Sequence, residues 1–208
     1  MKGLLLKDFY TTVKYCKAYF LIVAVFLVIS LFSTDNSLFV TIYPTLIAGI
    51  LPVTLLSYDE RDKWTQYCGV LPYTRKDFVS SKYLMGLFFG VASIAVSVIA
   101  YGVRTVMSGS FSPFKLLALT AVLFILGLAM PSLLLPFVFK LGAEKGRLVF
   151  YVMIGFLCAA SVLINGFGLQ WITPKNQLFT PFALIAATAV IYFISWSLSV
   201  HFYKKKDL

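Results

Sequence analysis

Between Lys115 and Lys140 the chain reads LLALTAVLFILGLAMPSLLLPFVF, residues 116–139, 24 residues without a charge. At 1.5 Å per residue an α-helix of that length covers about 36 Å, more than the roughly 30 Å of bilayer hydrocarbon, and it pairs every backbone group within itself. A spanning β-barrel strand would need alternation over about 10 residues. Leu116-Leu117-Ala118-Leu119 does not alternate. The stretch therefore predicts a membrane-spanning helix.

Working outward, the same pattern recurs. Uncharged runs of 17 residues lie between Lys17 and Asp35, 23 from there to Asp59, 21 between Lys82 and Arg104, 27 between Arg147 and Lys175, and 28 from there to Lys204. The predicted architecture is an all-α polytopic membrane protein with six spans, at about 18–34, 37–57, 83–103, 116–139, 148–165 and 179–202. Of 208 residues 60% are hydrophobic and 12% charged, against about 25% charged in soluble domains.

With a cytoplasmic N-terminus, 15 of the 18 Lys and Arg fall on the inner side, leaving Arg104, Lys115 and Lys175 outside. The positive-inside rule then predicts a multi-pass protein of the cell (inner) membrane with both termini cytoplasmic. It also accounts for the net charge of +10 through anionic membrane lipid, without nucleic acid. The first apolar run lacks a small-residue cleavage pattern and is expected to be retained. Cys16, Cys68 and Cys158 are too far apart for a zinc site or a disulfide frame and are expected to pack.

Residues 1–17 place Leu5, Phe9, Val13 and Cys16 at helical spacing, with Lys7, Lys14 and Lys17 offset, which predicts an amphipathic interfacial helix ahead of a transmembrane domain at 18–208. Pro44, Pro52, Pro131 and Pro136 predict kinks. Asn165 to Trp171 predicts a broken outer end to the fifth span, and the outer turns near 33–37, 108–112 and 173–177 are short. No acid or base lies mid-span, which argues against ion-gradient coupling.

One substantial inner loop remains, 58–82. Ser57 with Glu60 reads as a capping box opening a helix that Gly69 and Pro72 stop, and Thr74 with Asp77 opens another. Trp64, Tyr67 and Leu71 would share one face, rimmed by charges of both signs, as in a protein contact or a hairpin lying on lipid. A single histidine and scattered carboxylates form no catalytic constellation, and the chain is not read as an enzyme. Gly142-Ala143-Glu144-Lys145-Gly146 lacks the spacing and the Lys-Ser/Thr pair of a phosphate-binding loop.

The run Tyr58-Asp59-Glu60, Lys63-Trp64, Leu71-Pro72, Arg75-Lys76 and Lys82-Tyr83-Leu84, with the opening Leu5-Leu6-Lys7-Asp8, resembles small ABC type-2 permeases, closest in character to the permease subunits of phenol-soluble modulin (Pmt-type) exporters. The resemblance implies an ABCG-like exporter fold whose loop 58–82 carries a coupling helix for a separate ATPase. Its contact residues would be Asp59, Glu60, Arg61, Lys63, Trp64 and Tyr67, flanked by Arg75 and Lys76, with the loop from Lys140 to Arg147 as a second contact. It implies no cofactor in this chain, ATP and Mg residing on the partner, and a second permease protomer forming a homodimer. The apolar, aromatic spans suit amphipathic peptides or lipid-like compounds better than ions or sugars, and the exporter resemblance implies an amphipathic peptide substrate. A non-transporting immunity or sensor subunit that binds an ATPase is the alternative.

Overall fold

The computed structural model describes residues 1–32, 38–68, 72–109, 111–146, 148, 151–152 and 179–205, and these are helical with no strand. Seven helices run in order: α1 Lys2–Tyr15, α2 Lys17–Phe32, α3 Leu38–Arg61, α4 Trp64–Cys68, α5 Arg75–Met107, α6 Pro113–Leu141 and α7 Phe179–Lys204. Leu71, Cys158, most of the predicted fifth span, Asn165 to Trp171, and the outer turns at 33–37 and 173–177 lie outside the described residues. Four of the described helices are long and apolar enough to cross a bilayer, within Val40–Arg61, Arg75–Met107, Pro113–Leu141 and Ile185–Lys204. The pair Lys2–Tyr15 and Lys17–Ser30, bent by 67°, would count as a fifth.

One expectation about local structure needs correction. Ser57 and Glu60 open no helix, because α3 continues through both to Arg61. Extending an existing helix adds a hydrogen bond per residue, whereas starting a new one carries a nucleation cost, so a cap motif inside a helical run goes unused. The chain turns instead at Lys63, which adopts the left-handed conformation (φ 55°) just past the helix end. The second motif does act: Thr74 Oγ1 accepts from Asp77 N–H at 3.1 Å, and Asp77 Oδ2 accepts from Thr74 N–H at 3.1 Å.

In α1 the buried stripe is the polar one. Its apolar residues Phe9 and Val13 are exposed, while Leu4, Asp8 and Thr12 form the buried stripe. Membrane lipid inverts the usual amphipathic rule: apolar side chains lose nothing by facing out, and a polar stripe is the one that gains from protein partners.

α5, at 33 residues, is about 50 Å long and outruns the hydrocarbon, so its first turns extend beyond it at the Lys/Arg-rich end of the bundle. There the largest core cluster gathers Leu4, Val53, Leu56, Leu135 and Val138 around the rings of Phe78, Phe139 and Tyr203, whose centroids lie 5.2–6.4 Å apart. Deeper in the bundle the prolines shape the contacts. Pro52 of α3 meets α5 at Gly86, where a Cβ would sit 2.8 Å from Pro52 Cγ, so only glycine permits this approach.

Pro136 cannot donate to the carbonyl of Ser132 one turn back. Ser195 of α7 donates to that carbonyl in its place. With its single proton used there, Ser195 Oγ must accept from Tyr83 at 2.6 Å, and Tyr83 in turn accepts from Ser199 at 2.7 Å. One directional hydroxyl chain thus joins α5, α6 and α7. Interhelical hydrogen bonds in membranes average about 0.6 kcal/mol with a maximum near 1.7. Ser195→Ala breaks two links and leaves a buried carbonyl bare, so it should lower stability by about 1–2 kcal/mol. Ser199→Ala, at the chain's end, should lower it by about 0.5 kcal/mol. Denaturation midpoints of the two variants in mild detergent check the order.

Candidate functional site

At the basic end, three helices bring four charges together. Lys7 and Asp8 come from α1, Asp59 from the last turns of α3, and Lys82 from the second turn of α5. Lys82 Nζ lies 2.7 Å from Asp8 Oδ1 and 2.5 Å from Asp59 Oδ2, and Lys7 Nζ pairs with Asp59 and lies 3.2 Å from Asp8. Side-chain exposure is 1% for Lys82 and Asp8 and 4% for Asp59, with only Lys7, at 25%, reaching the surface. Two cations and two anions cancel, and each ammonium bridges both carboxylates. Around the cluster, Ser81 Oγ is 3.2 Å from Asp8 Oδ2, the Lys82 ammonium lies 5.2 Å from the Phe78 ring, and the Lys7 ammonium lies 4.6 Å from the Trp64 ring.

Through Lys7 and Trp64 the charge cluster touches α4, the short helix of loop 58–82. Trp64 is half-buried against the main core, whereas Tyr67, 5.4 Å away ring to ring, is 59% exposed. The two aromatics therefore do not share an outward face. Asp59 also faces inward. Glu60 reaches across to the chain after α6, where its Oε2 accepts from Ala143 N–H at 2.7 Å. Gly142 makes this possible: its φ of 90° and ψ of 164° belong to a region open essentially to glycine alone. The donor that a phosphate would need at this turn is thus already taken by a carboxylate.

The remaining predicted contact residues lie at the surface. Arg61 is exposed, with its guanidinium over Tyr58 and paired to Asp62 at 3.1 Å. Lys63 occupies the turn and is exposed. Arg75 Nη1 donates to the carbonyl of Lys204 at 2.7 Å, closing the end of α7, and Lys76 lies over the Trp196 ring at 5.2 Å. The structure thus divides the eight residues: Asp59, Glu60 and Trp64 bind the loop to the bundle, Arg75 ties α5 to α7, and Arg61, Lys63, Tyr67 and Lys76 face outward.

Lys7, Asp8 and Lys82 escaped the sequence-based site, although a signal existed. Asp8 is the only acid in the first 34 residues, set in an otherwise basic helix. Among the described residues no group of His, Cys, Asp and Glu is arranged to hold a metal.

A helical bundle with several bilayer-length helices and a charged joint at one end defines a polytopic membrane protein. The family model described as ABC-2 family transporter protein matches residues 3–204, and the chain belongs to that family. It is accordingly a membrane component of an ABC-2 transporter. No curated protein and no solved structure matches it.

Removing one member of a buried ion pair leaves a bare charge, at a cost of about 3–5 kcal/mol, while removing a neutral pair together is far milder. Lys82→Met should therefore destabilise by about 3–5 kcal/mol, and adding Asp8→Leu should recover most of that loss; a double mutant worse than Lys82→Met in thermal unfolding would contradict the pairing. Gly142→Ala should cost about 1–3 kcal/mol from backbone strain alone. Cys68, the last residue of α4, is buried in the main core, and burial pushes its thiol above the usual range. Less thiolate is then present near pH 8, so alkylation of Cys68 should lag a free thiol and catch up only at higher pH, as peptide mass mapping over a pH series would show.

Proposed function

We propose that this chain is the permease subunit of an ATP-driven ABC exporter, with a separate ATPase docking beneath loop 58–82. The observation that carries the reading is the placement of the charge cluster between that loop and two other helices. Outward-facing Arg61, Lys63, Tyr67 and Lys76 offer an aromatic anchor and basic rim to the ATPase, while Trp64 and Asp59, on the inner side of the same segment, are held by Lys7 and Lys82. A push on α4 then reaches α1 through Lys7 and Asp8, and α5 through Lys82, as one joined body. Glu60 adds the segment after α6, so the two inner loops respond together.

ATP and Mg belong to the ATPase in this reading, and the chain contributes no catalysis. A second copy completes the transport path as a homodimer. Loop 58–82 and both termini are cytoplasmic, consistent with the Lys/Arg bias, and α1 lies along the inner interface. The fifth span completes six. The substrate is an amphipathic peptide, a class supported by the resemblance to Pmt-type permeases and by spans with apolar linings.

The test uses the full chain co-expressed with a candidate ABC ATPase from the same genome. Tyr67→Ala with Arg61→Ala should weaken ATPase capture about tenfold or more, as expected for an aromatic and arginine anchor, without changing the melting temperature. Lys7→Met should leave capture intact but uncouple ATP hydrolysis from peptide efflux in vesicles. Capture unaffected by the first pair removes the docking surface. Capture with no ATP-dependent efflux by the wild type replaces the exporter with a non-transporting sensor or immunity subunit.

A further inference from the structure

The bend between α1 and α2 leaves a groove where α1 crosses the first half of α5. Its volume is about 750 Å³, within the roughly 300–1,000 Å³ of ligand-sized clefts. Leu6 and Phe9 form one wall and Leu84, Leu87 and Val91 the other, with Lys2 among the lining residues. All five apolar side chains are at least 40% exposed, and the Lys2 side chain makes no ion pair among the described residues. From Leu84 to Val91 the groove follows α5 for about 10 Å, within the ~15 Å depth of one bilayer leaflet. Gly3 lies against Tyr73, just ahead of the first turn of α5, which sets Lys2 at the basic end of the bundle.

An apolar channel of one-leaflet depth with a cation at its headgroup end has the shape and charge of a phospholipid site. We infer that this groove binds an anionic phospholipid, with acyl chain along Leu84, Leu87 and Val91 and phosphate on Lys2. Charge complementarity selects an anionic headgroup over a zwitterionic one. An extended peptide fits less well, because the helix backbones lining the groove have their hydrogen bonds satisfied internally and leave its amides without partners; a helical peptide satisfies its own amides, and competition against phosphatidylglycerol separates it from lipid. The site is independent of the ATPase surface, since none of Arg61, Lys63, Tyr67 or Lys76 lines it.

The full chain, purified in mild detergent and equilibrated with equal amounts of phosphatidylglycerol and phosphatidylcholine, would be weighed intact by native mass spectrometry. The wild type should retain phosphatidylglycerol in preference, and Lys2→Gln should lower that retention about fivefold, the scale of one lysine–headgroup attraction. Lys14→Gln, on the same helix but outside the groove, should change nothing. Val91→Trp, filling the groove, should lower retention of both lipids, with its melting temperature read alongside. The inference fails if Lys2→Gln matches the wild type, or if Lys14→Gln loses as much, since charge would then act diffusely. It also fails if an amphipathic helical peptide displaces the phosphatidylglycerol one for one. The two lysine variants decide the matter even if Val91→Trp misfolds, because both side chains are exposed.

Discussion

A fully buried ammonium group must be neutralised within hydrogen-bonding reach, and in this protein Lys82 meets that demand with two carboxylates drawn from two other helices. Each carboxylate then needs a second cation, and Lys7 serves both. The demand propagates through the fold. Asp8 can be buried only if α1 turns its polar stripe inward, which puts Phe9 and Val13 outside. Asp59 can reach Lys82 only if α3 stays helical past Ser57, which pushes the turn out to Lys63. One neutral cluster thus determines the rotation of α1, the length of α3 and the seat of α4. Replacing such a cluster with hydrocarbon is often tolerated in soluble proteins. Its value here lies in registry, because three helices are held in one rotational setting by pairs that no slipped arrangement would satisfy.

A second constraint acts deeper in the bundle, where proline removes backbone donors and hydroxyls take their place. Pro136 leaves the Ser132 carbonyl open, and the chain Ser199–Tyr83–Ser195 ends on it. Tyr192 adds a 2.7 Å bond from its hydroxyl to the Tyr83 carbonyl. Without Ser195 the Ser132 carbonyl would have no donor, so the residue that removes a hydrogen bond from within α6 also fixes where α7 joins it. The charged joint and the hydroxyl chain share α5, with the adjacent Lys82 and Tyr83 about 100° apart around the helix, Lys82 toward α1 and α3 and Tyr83 toward α7.

The eight contact residues implied by the family resemblance follow one another along the chain, and folding sorted them by direction. Asp59 and Arg61 are two residues apart, about 200° around a helix, so one must face the bundle if the other faces out. Trp64 and Tyr67 are neighbours in α4, their rings 5.4 Å apart, yet Trp64 lies under the Lys7 ammonium and packs on the core while Tyr67 is exposed. Lys7-Asp8 and Lys82-Tyr83 supported the family resemblance through their sequence alone. In the fold they are the residues that hold it together.

What the sequence determined by itself were the features that depend on local composition: the described helices in stretches without charge, a cap at Thr74 and Asp77, and membership of the ABC-2 family. These follow from backbone hydrogen bonding and solvation, which act over a turn or a span. Only the tertiary structure decided which charges are shared and which are free. Lys7 and Asp59 are 52 positions apart, and Lys82 and Asp8 are 74 apart. A charge's meaning depends on the partner that burial brings to it, and that partner comes from helix packing, which no local pattern encodes.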